Sequence, residues 1–307
     1  MRVYCTLTDI EHPDPSAVTV GTFDGFHLGH QAIISRLKEV ARGNGLSTTV
    51  VTFDPHPRKV VGNPHNHPIR LLTTTEEKLR LFEQTGVDQV VIIPFTREFA
   101  ALSAEEFIRQ VLLERLKARE IVIGYDHHFG RRREGSFELL KALGDQMGFG
   151  VHQVPPLVLN GQAVSSSMIR QLVEAGKVEE AARWMGRPYA LAGMVERGAG
   201  RGRQIGFPTA NIRVDDEDKL IPARGVYAVD MVVEGKVRPG MMNIGVRPTF
   251  GFDALTLEVH VFNFNAWLYD KRVEVRFKKF IRPERKFSDI EELKAQLEKD
   301  KQICEKV

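Results

Sequence analysis

The spacing of apolar residues changes once along this chain, near residue 187, and that change constrains the fold more than any other feature. From about residue 17 to 155, short apolar runs alternate with helical stretches. "AVTV" leads into "HQAIISRLKEVARGNG", whose closing glycine is a common helix stop. "STTVVTF", "DQVVIIPF", "EIVIGY" and "GVHQVPP" follow as strands. Between them lie the helical "TTEEKLRLFEQTG", "SAEEFIRQVLLERL" and a stretch through Met147. Ser103 and Glu106 have the spacing of a capping box. Strands that are apolar throughout, each followed by a helix, define a parallel sheet covered on both faces. Such sheets bind ligands at the carboxyl ends of their strands.

After residue 187 the strands come without intervening helices: "YALAGMVERG", "GVYAVDMVVEGKVRPGMMNIG", "LTLEVHVFNF" and "KRVEVRFKKF". Gly, Pro and Asn turns separate them, and "SDIEELKAQLEKD" closes the chain as a helix. This is the pattern of a small antiparallel barrel. A bridge, "SSSMIRQLVEAGKVEEAARWMGRP", reads as two short helices hinged at Gly176. The expected division is therefore residues 1–186 and 187–307. Phe250 to Phe252 are expected in the core or at an interface.

Composition narrows the class of function. A net charge of +3 and a pI near 8.8 suit a protein that handles phosphates and fall short of a nucleic-acid coat. Cys5 and Cys304 form neither a metal spacing nor a disulfide framework, so a reducing cytoplasm is expected. No run approaches the ~18 apolar residues of a membrane helix. No partner in nucleic acid or membrane is expected, and oligomeric state is not legible.

Within the first half, "VGTFDGFHLGHQ" lies where a strand gives way to a helix. A metal site, a phosphate site and a plain tight turn are its three readings. His27 and His30 project from one side of the first helical turn, and Gly29 leaves room beside them. Unpaired N–H groups at the helix start favour phosphate. A zinc pair lacks a third ligand nearby, because His56, His65 and His67 fit no zinc spacing.

The second half has no Walker motif. It has "GAGRGRQIGFPTANI", with glycines at 198, 200, 202 and 206 forming a flexible loop able to present N–H groups to phosphates. If "TANI" opens a strand, Thr209 and Asn211 face the same way, a plausible oxygen pair for Mg²⁺. In "LTLEVHVF", Leu255, Leu257, Val259 and Val261 are expected on the core face. Thr256, Glu258 and His260 are expected on the other, where Glu258 is a candidate general base.

"GTFDGFHLGH" resembles the signature of the nucleotidyltransferase superfamily. With "TFDPHPR", "GYDHHFGRRREG" and "SSSMIR" it resembles the adenylyltransferase module of bacterial riboflavin kinase/FAD synthetases. The second half resembles the riboflavin kinase domain through "GRGRQIGFPTANI", "GVYAV", "NIGVRPTF" and "LEVHVF".

The resemblance implies a Rossmann-like parallel-sheet nucleotidyltransferase domain followed by a six-stranded antiparallel β-barrel with a terminal helix. It implies ATP binding by Gly21, Phe23, Asp24, His27, Gly29, His30, Asp126, Ser166, Ser167 and Arg170 in the first site. His27, His30 and Arg170 there stabilise the reacting phosphates. In the second site it implies ATP binding by Gly200, Gly202, Gly206, Pro208, Thr209 and Asn211. Thr209 and Asn211 would hold Mg²⁺, and Glu258 would be the base.

The implied reactions convert riboflavin and ATP to FMN and ADP, then FMN and ATP to FAD and pyrophosphate. His127 departs from the family pattern, which has phenylalanine there, and Arg131 to Arg133 read as a mobile basic flap or as a solvated loop. Other users of an H-x-G-H turn, such as cytidylyltransferases and class I aminoacyl-tRNA synthetases, lack the barrel. A flavin sensor without turnover is the remaining reading.

Overall fold

A computed structural model describes the chain apart from residues 12, 63–67, 199–200, 250–251 and 265, and apart from the side chains of 201, 247–249 and 252–254. Gly200, His65, His67 and Phe250 thus lie outside the described residues, as does the side chain of Phe252. The chain divides into two compact units, Met1–Ser166 and Ser167–Val307.

In the first unit the strands are β1 (Arg2–Tyr4), β2 (Ser16–Val20), β3 (Ser47–Asp54), β4 (Gln89–Pro94), β5 (Ala118–Gly124) and β6 (Gly150–Val154). They form one parallel sheet in the order β1-β4-β3-β2-β5-β6. The apolar runs earn their central places: β2 is buried throughout, and Val50, Val51, Val90 and Val91 are fully enclosed. Helices cover both faces, with one core around Phe107, Ile108 and Leu112 and another around Leu37 and Phe82.

The helix Leu28–Asn44 stops at Gly45 in the left-handed region, and Thr75–Thr85 opens on a Thr74/Glu77 capping box. The Ser103/Glu106 box also forms. Its helix, Ala104–Glu106, widens at once into a π-helix, Phe107–Arg115. The pairs Phe107–Ile108 and Val111–Leu112 are buried on it. β1 escapes a reading of periodicity because three edge residues carry none.

A two-stranded hairpin, β7 (Val158–Leu159) and β8 (Gln162–Ala163), ends the first unit. The second begins with the helices Ser166–Glu174 and Val178–Met185, joined through Gly176. Next come β9 (Ala190–Glu196), β10 (Ala210–Val214), β11 (Gly225–Val233), β12 (Lys236–Thr249), β13 (Phe252–Val261) and β14 (Arg272–Arg282). They close into an antiparallel barrel in the order β10-β13-β12-β11-β14-β9, which leaves no free sheet edge.

One expectation about β13 needs correction, and one residue of its other face has an unexpected setting. Leu255 is 47% exposed, near the tip of the β12–β13 hairpin, although it shares parity with buried Leu257 and Val259. His260 lies on the face of Glu258, as expected, yet that face is covered there and His260 is buried. The cause is a second apolar layer outside the barrel wall, where Phe207, Ala228, Met241, Phe262 and Cys304 pack with Leu297. Cys304 and Leu297 come from the terminal helix Ile290–Cys304. A polar face in the strand pattern is thus covered at one end and open at the other.

Candidate functional site

From β2 the chain builds outward through β3 and β4 on one side and β5 and β6 on the other. The strand order therefore reverses beside β2, and the crevice at the carboxyl ends of β2 and β5 is where a ligand has room. Val20 ends β2 there, and the turn Gly21–His27 follows. Gly21 N–H still donates to the Val51 carbonyl at 3.0 Å. Phe23 turns back with φ 48° and is buried, edge-on to His30 at 5.2 Å and to Phe82 at 5.4 Å.

His27 is the N-cap of the helix Leu28–Asn44 and is 5% exposed. Its Nδ1 accepts the His30 backbone N–H at 3.3 Å. An accepting Nδ1 places a ring proton on Nε2. The His30 ring stacks on that of His27, with centroids 3.6 Å apart and planes 16° apart. Burial holds the His30 pKa well below the usual 6.5, and His27 and Lys78 push in the same direction. His30 Nδ1 is buried with no partner among the described residues. His30 is therefore a neutral imidazole. Gly29 makes the stack possible, since a side chain there would meet the His27 ring at 3.2 Å.

Asp24 is buried and ties the turn to the chain before the helix Thr75–Thr85. Its carboxylate accepts Leu72 N–H at 3.2 Å and Thr73 N–H at 2.9 Å. Its carbonyl accepts the Ser166 hydroxyl at 2.8 Å. Asp126 is exposed in the turn after β5. Ser167 and Arg170 belong to the second unit, where Ser167 is exposed and Arg170 is half-buried on the helix Ser166–Glu174.

The segment Arg131–Arg133 is a 3₁₀ turn anchored by its backbone. Arg131 N–H donates to Leu102 O at 2.7 Å, and Glu134 accepts Ala104 N–H at 2.9 Å.

Sequence reading missed Lys78. It is 4% exposed, and its ammonium donates to Thr22 O and Thr52 Oγ1, each at 3.3 Å. Burial lowers its pKa, while Asp24 and Asp54 oppose that shift. The available signal was phase, because Lys78 lies one turn before buried Phe82 on the inward face.

In the barrel, Glu258 of β13 lies opposite Asn211 of β10 on one side and Asn243 of β12 on the other. Asn211 is itself paired with Glu196 of β9. All four share one face, because their neighbours Ala210, Ile212, Leu257 and Val259 point into the barrel core. Thr209, one residue before β10, donates its hydroxyl to Glu258 at 3.1 Å.

The glycine-rich segment lies against this row. Gly198 abuts the Asn211 amide, and a side chain at Gly202 would collide with the Phe207 carbonyl. Where a flexible loop was expected, Arg201–Gln204 forms one helical turn. Gly206 and Pro208 follow it before β10. Thr209 and Asn211 offer a hydroxyl and an amide oxygen, hard donors that suit Mg²⁺ completed by phosphates and water. Among the described residues no group of three or more His, Cys, Asp or Glu side chains could hold a metal.

Two sites of different design, one in a parallel-sheet unit and one on a closed barrel, define a two-part phosphate-handling chain. Residues 9–168 match the family described as FAD synthetase, and residues 185–307 match riboflavin kinase. A bifunctional riboflavin kinase/FMN adenylyltransferase of Listeria monocytogenes is 42% identical over 96% of this chain and 94% of its own length. Those of Bacillus subtilis and Escherichia coli K12 are each 38% identical, covering 95% and 92% of this chain and 93% and 90% of their own.

A solved structure described as a macrolide-efflux protein from Streptococcus pneumoniae superposes with a TM-score of 0.91. It is 33% identical and covers 99% of this chain and 98% of its own. Among the described residues here, no helix is long and apolar enough to cross a membrane. The chain belongs to the bifunctional riboflavin kinase/FMN adenylyltransferase family.

Proposed function

We propose that the chain makes FMN from riboflavin at the barrel site and FAD from FMN at the histidine turn, using one ATP for each step. The observation that carries this reading is the pair of constellations in separate units, Thr209–Asn211–Glu258 in one and His27–His30 in the other.

At the barrel, the 5′-hydroxyl oxygen of riboflavin attacks the γ-phosphorus of ATP, its proton passes to Glu258, and ADP leaves. Positioning and charge stabilisation do most of the catalytic work in such transfers. Thr209 and Asn211 would hold Mg²⁺, which neutralises phosphate charge when bound. Gly202, Gly206 and Pro208 belong to the segment that would cover the nucleotide.

At the histidine turn, a phosphate oxygen of FMN attacks the α-phosphorus of ATP and pyrophosphate leaves. His27 Nε2–H and an N–H of His30 donate to the phosphate oxygens, and His30 does so as a neutral ring. Gly21, Phe23, Asp24 and Gly29 fix the turn, with Asp126 and Ser166 as further ATP contacts. We place the functional boundary at residues 186 and 187 and the protein in the cytoplasm, a reading supported by its free cysteines Cys5 and Cys304.

Two single variants test the assignment, with flavins separated by chromatography. Glu258→Ala should lower FMN formation by about 10²–10³, the usual loss for a key transition-state group, and spare FAD formation from supplied FMN. His30→Ala should do the reverse. Loss of both activities from either folded variant would reject separate sites.

A further inference from the structure

We infer that His260 positions Thr209 against Glu258 by holding the Pro208 carbonyl oxygen. This rests on the kinase reading of the barrel site. The β10–β13 ladder consists of Ala210 opposite Val259 and Asn211 opposite Glu258, and it starts no earlier than Ala210. Continued in register, it would set Thr209 opposite His260 and Pro208 opposite Val261. Pro208 has no N–H to give, so backbone pairing cannot carry the strand further in that direction. The side chain of His260 takes over the missing attachment.

His260 Nδ1 lies 2.8 Å from Pro208 O. A carbonyl only accepts, so Nδ1 carries the proton. The ring is 9% exposed, and its orientation is fixed from two sides, by Phe207 at 5.2 Å and Phe262 at 5.8 Å. Thr209 is the next residue after the held carbonyl. Its hydroxyl reaches Glu258 at 3.1 Å, across from the strand that carries both His260 and Glu258. One strand therefore supplies the proposed base and, two residues on, the clamp that sets the hydroxyl beside it. His260 touches no reacting atom and acts only through Pro208 and Thr209.

The test separates the hydrogen bond from the bulk. His260→Phe keeps an aromatic ring between Phe207 and Phe262 and loses the donor. His260→Asn keeps an N–H near the place of Nδ1. With the full chain, His260→Phe should raise the kinase KM for Mg-ATP about tenfold, the effect of one lost net hydrogen bond, with kcat changed less. FMN adenylyltransferase activity of the same molecules should stay unchanged, and an unchanged thermal unfolding curve by circular dichroism reports an intact barrel. His260→Asn should return KM to within about threefold of the parent, because it restores the same donor. His260→Leu, also without a donor, replaces the Phe variant if that one does not fold.

A normal KM in the donor-less variants, or an Asn variant as impaired as they are, overturns the inference. Glu258→Ala, run alongside, tells the two failures apart. If it abolishes kinase activity while His260→Phe stays normal, only the positioning role falls. If it leaves kinase activity intact, the reading of the site falls, and the inference with it.

Discussion

The ring of His127 stacks on Phe129 with centroids 5.7 Å apart and planes 23° apart, where the family pattern has phenylalanine. Burial lowers its pKa to about 4, with His128 and Arg133 pushing the same way. The side chain is therefore a neutral aromatic, and that has a signed consequence. An unfolded His127 takes a proton near pH 6.5, while the folded one refuses it until about pH 4. As pH falls through that window the unfolded state binds more protons, so stability drops. The loss should reach about 2 kcal/mol at pH 4.5. His127→Phe should remove that share. Urea unfolding of both proteins at pH 7.5 and 4.5 measures it, and an equal fall in both would reject the neutral stacked ring.

The meeting of His27 with His30, and of Asn211 with Glu258 beside Thr209, follows from a turn and from strand pairing. Lys78 and His260 are not legible in this way. Each is a polar group buried by partners distant in sequence, Thr22 and Thr52 for one and Pro208 for the other.

The first turn of the helix Leu28–Asn44 shows two effects of one residue pulling apart. Alanine in place of Gly29 would favour the helix by roughly 0.5–1 kcal/mol. The same methyl would meet the His27 ring at 3.2 Å and press on the stack with His30. Gly29→Ala should therefore keep or raise the thermal midpoint while lowering FMN adenylyltransferase activity at least tenfold, with the kinase unaffected. A fully active variant would show that the stack yields without cost.

Elsewhere the elements followed their periods, since strands buried on both faces and capped helices carry strong local signals. The exceptions have tertiary causes. Three residues at a sheet edge carry no period, which hid β1. The cover supplied by the terminal helix turned a face that reads as polar into the buried setting of His260.

At the scale of the molecule, the two family matches end at residue 168 and begin at residue 185, and the helices between them decide where the barrel can be cut. The helix Val178–Met185 packs on β14 and buries Val178, Ala181, Trp184 and Met185. The helix before it is tied in as well, because Ala223 N–H donates to Val173 O at 3.4 Å. Gly176, between the helices, lies against Tyr227 and Ala223, so a side chain there would meet the Tyr227 hydroxyl at 3.1 Å.

The barrel thus carries these helices as part of its own core, although the change in sequence pattern falls after them. A chain of Ser167–Val307 should fold and keep riboflavin kinase activity. One cut to Arg187–Val307 uncovers apolar surface on β14 and should lose several degrees of thermal midpoint or aggregate. Burial of a large side chain such as Trp184 is worth about 1.5–3 kcal/mol, and more than one is lost. Thermal unfolding followed by circular dichroism, with kinase assays on both pieces, measures the difference. Equal stability of the two would place the helices outside the barrel's folding unit and move its edge to residue 187.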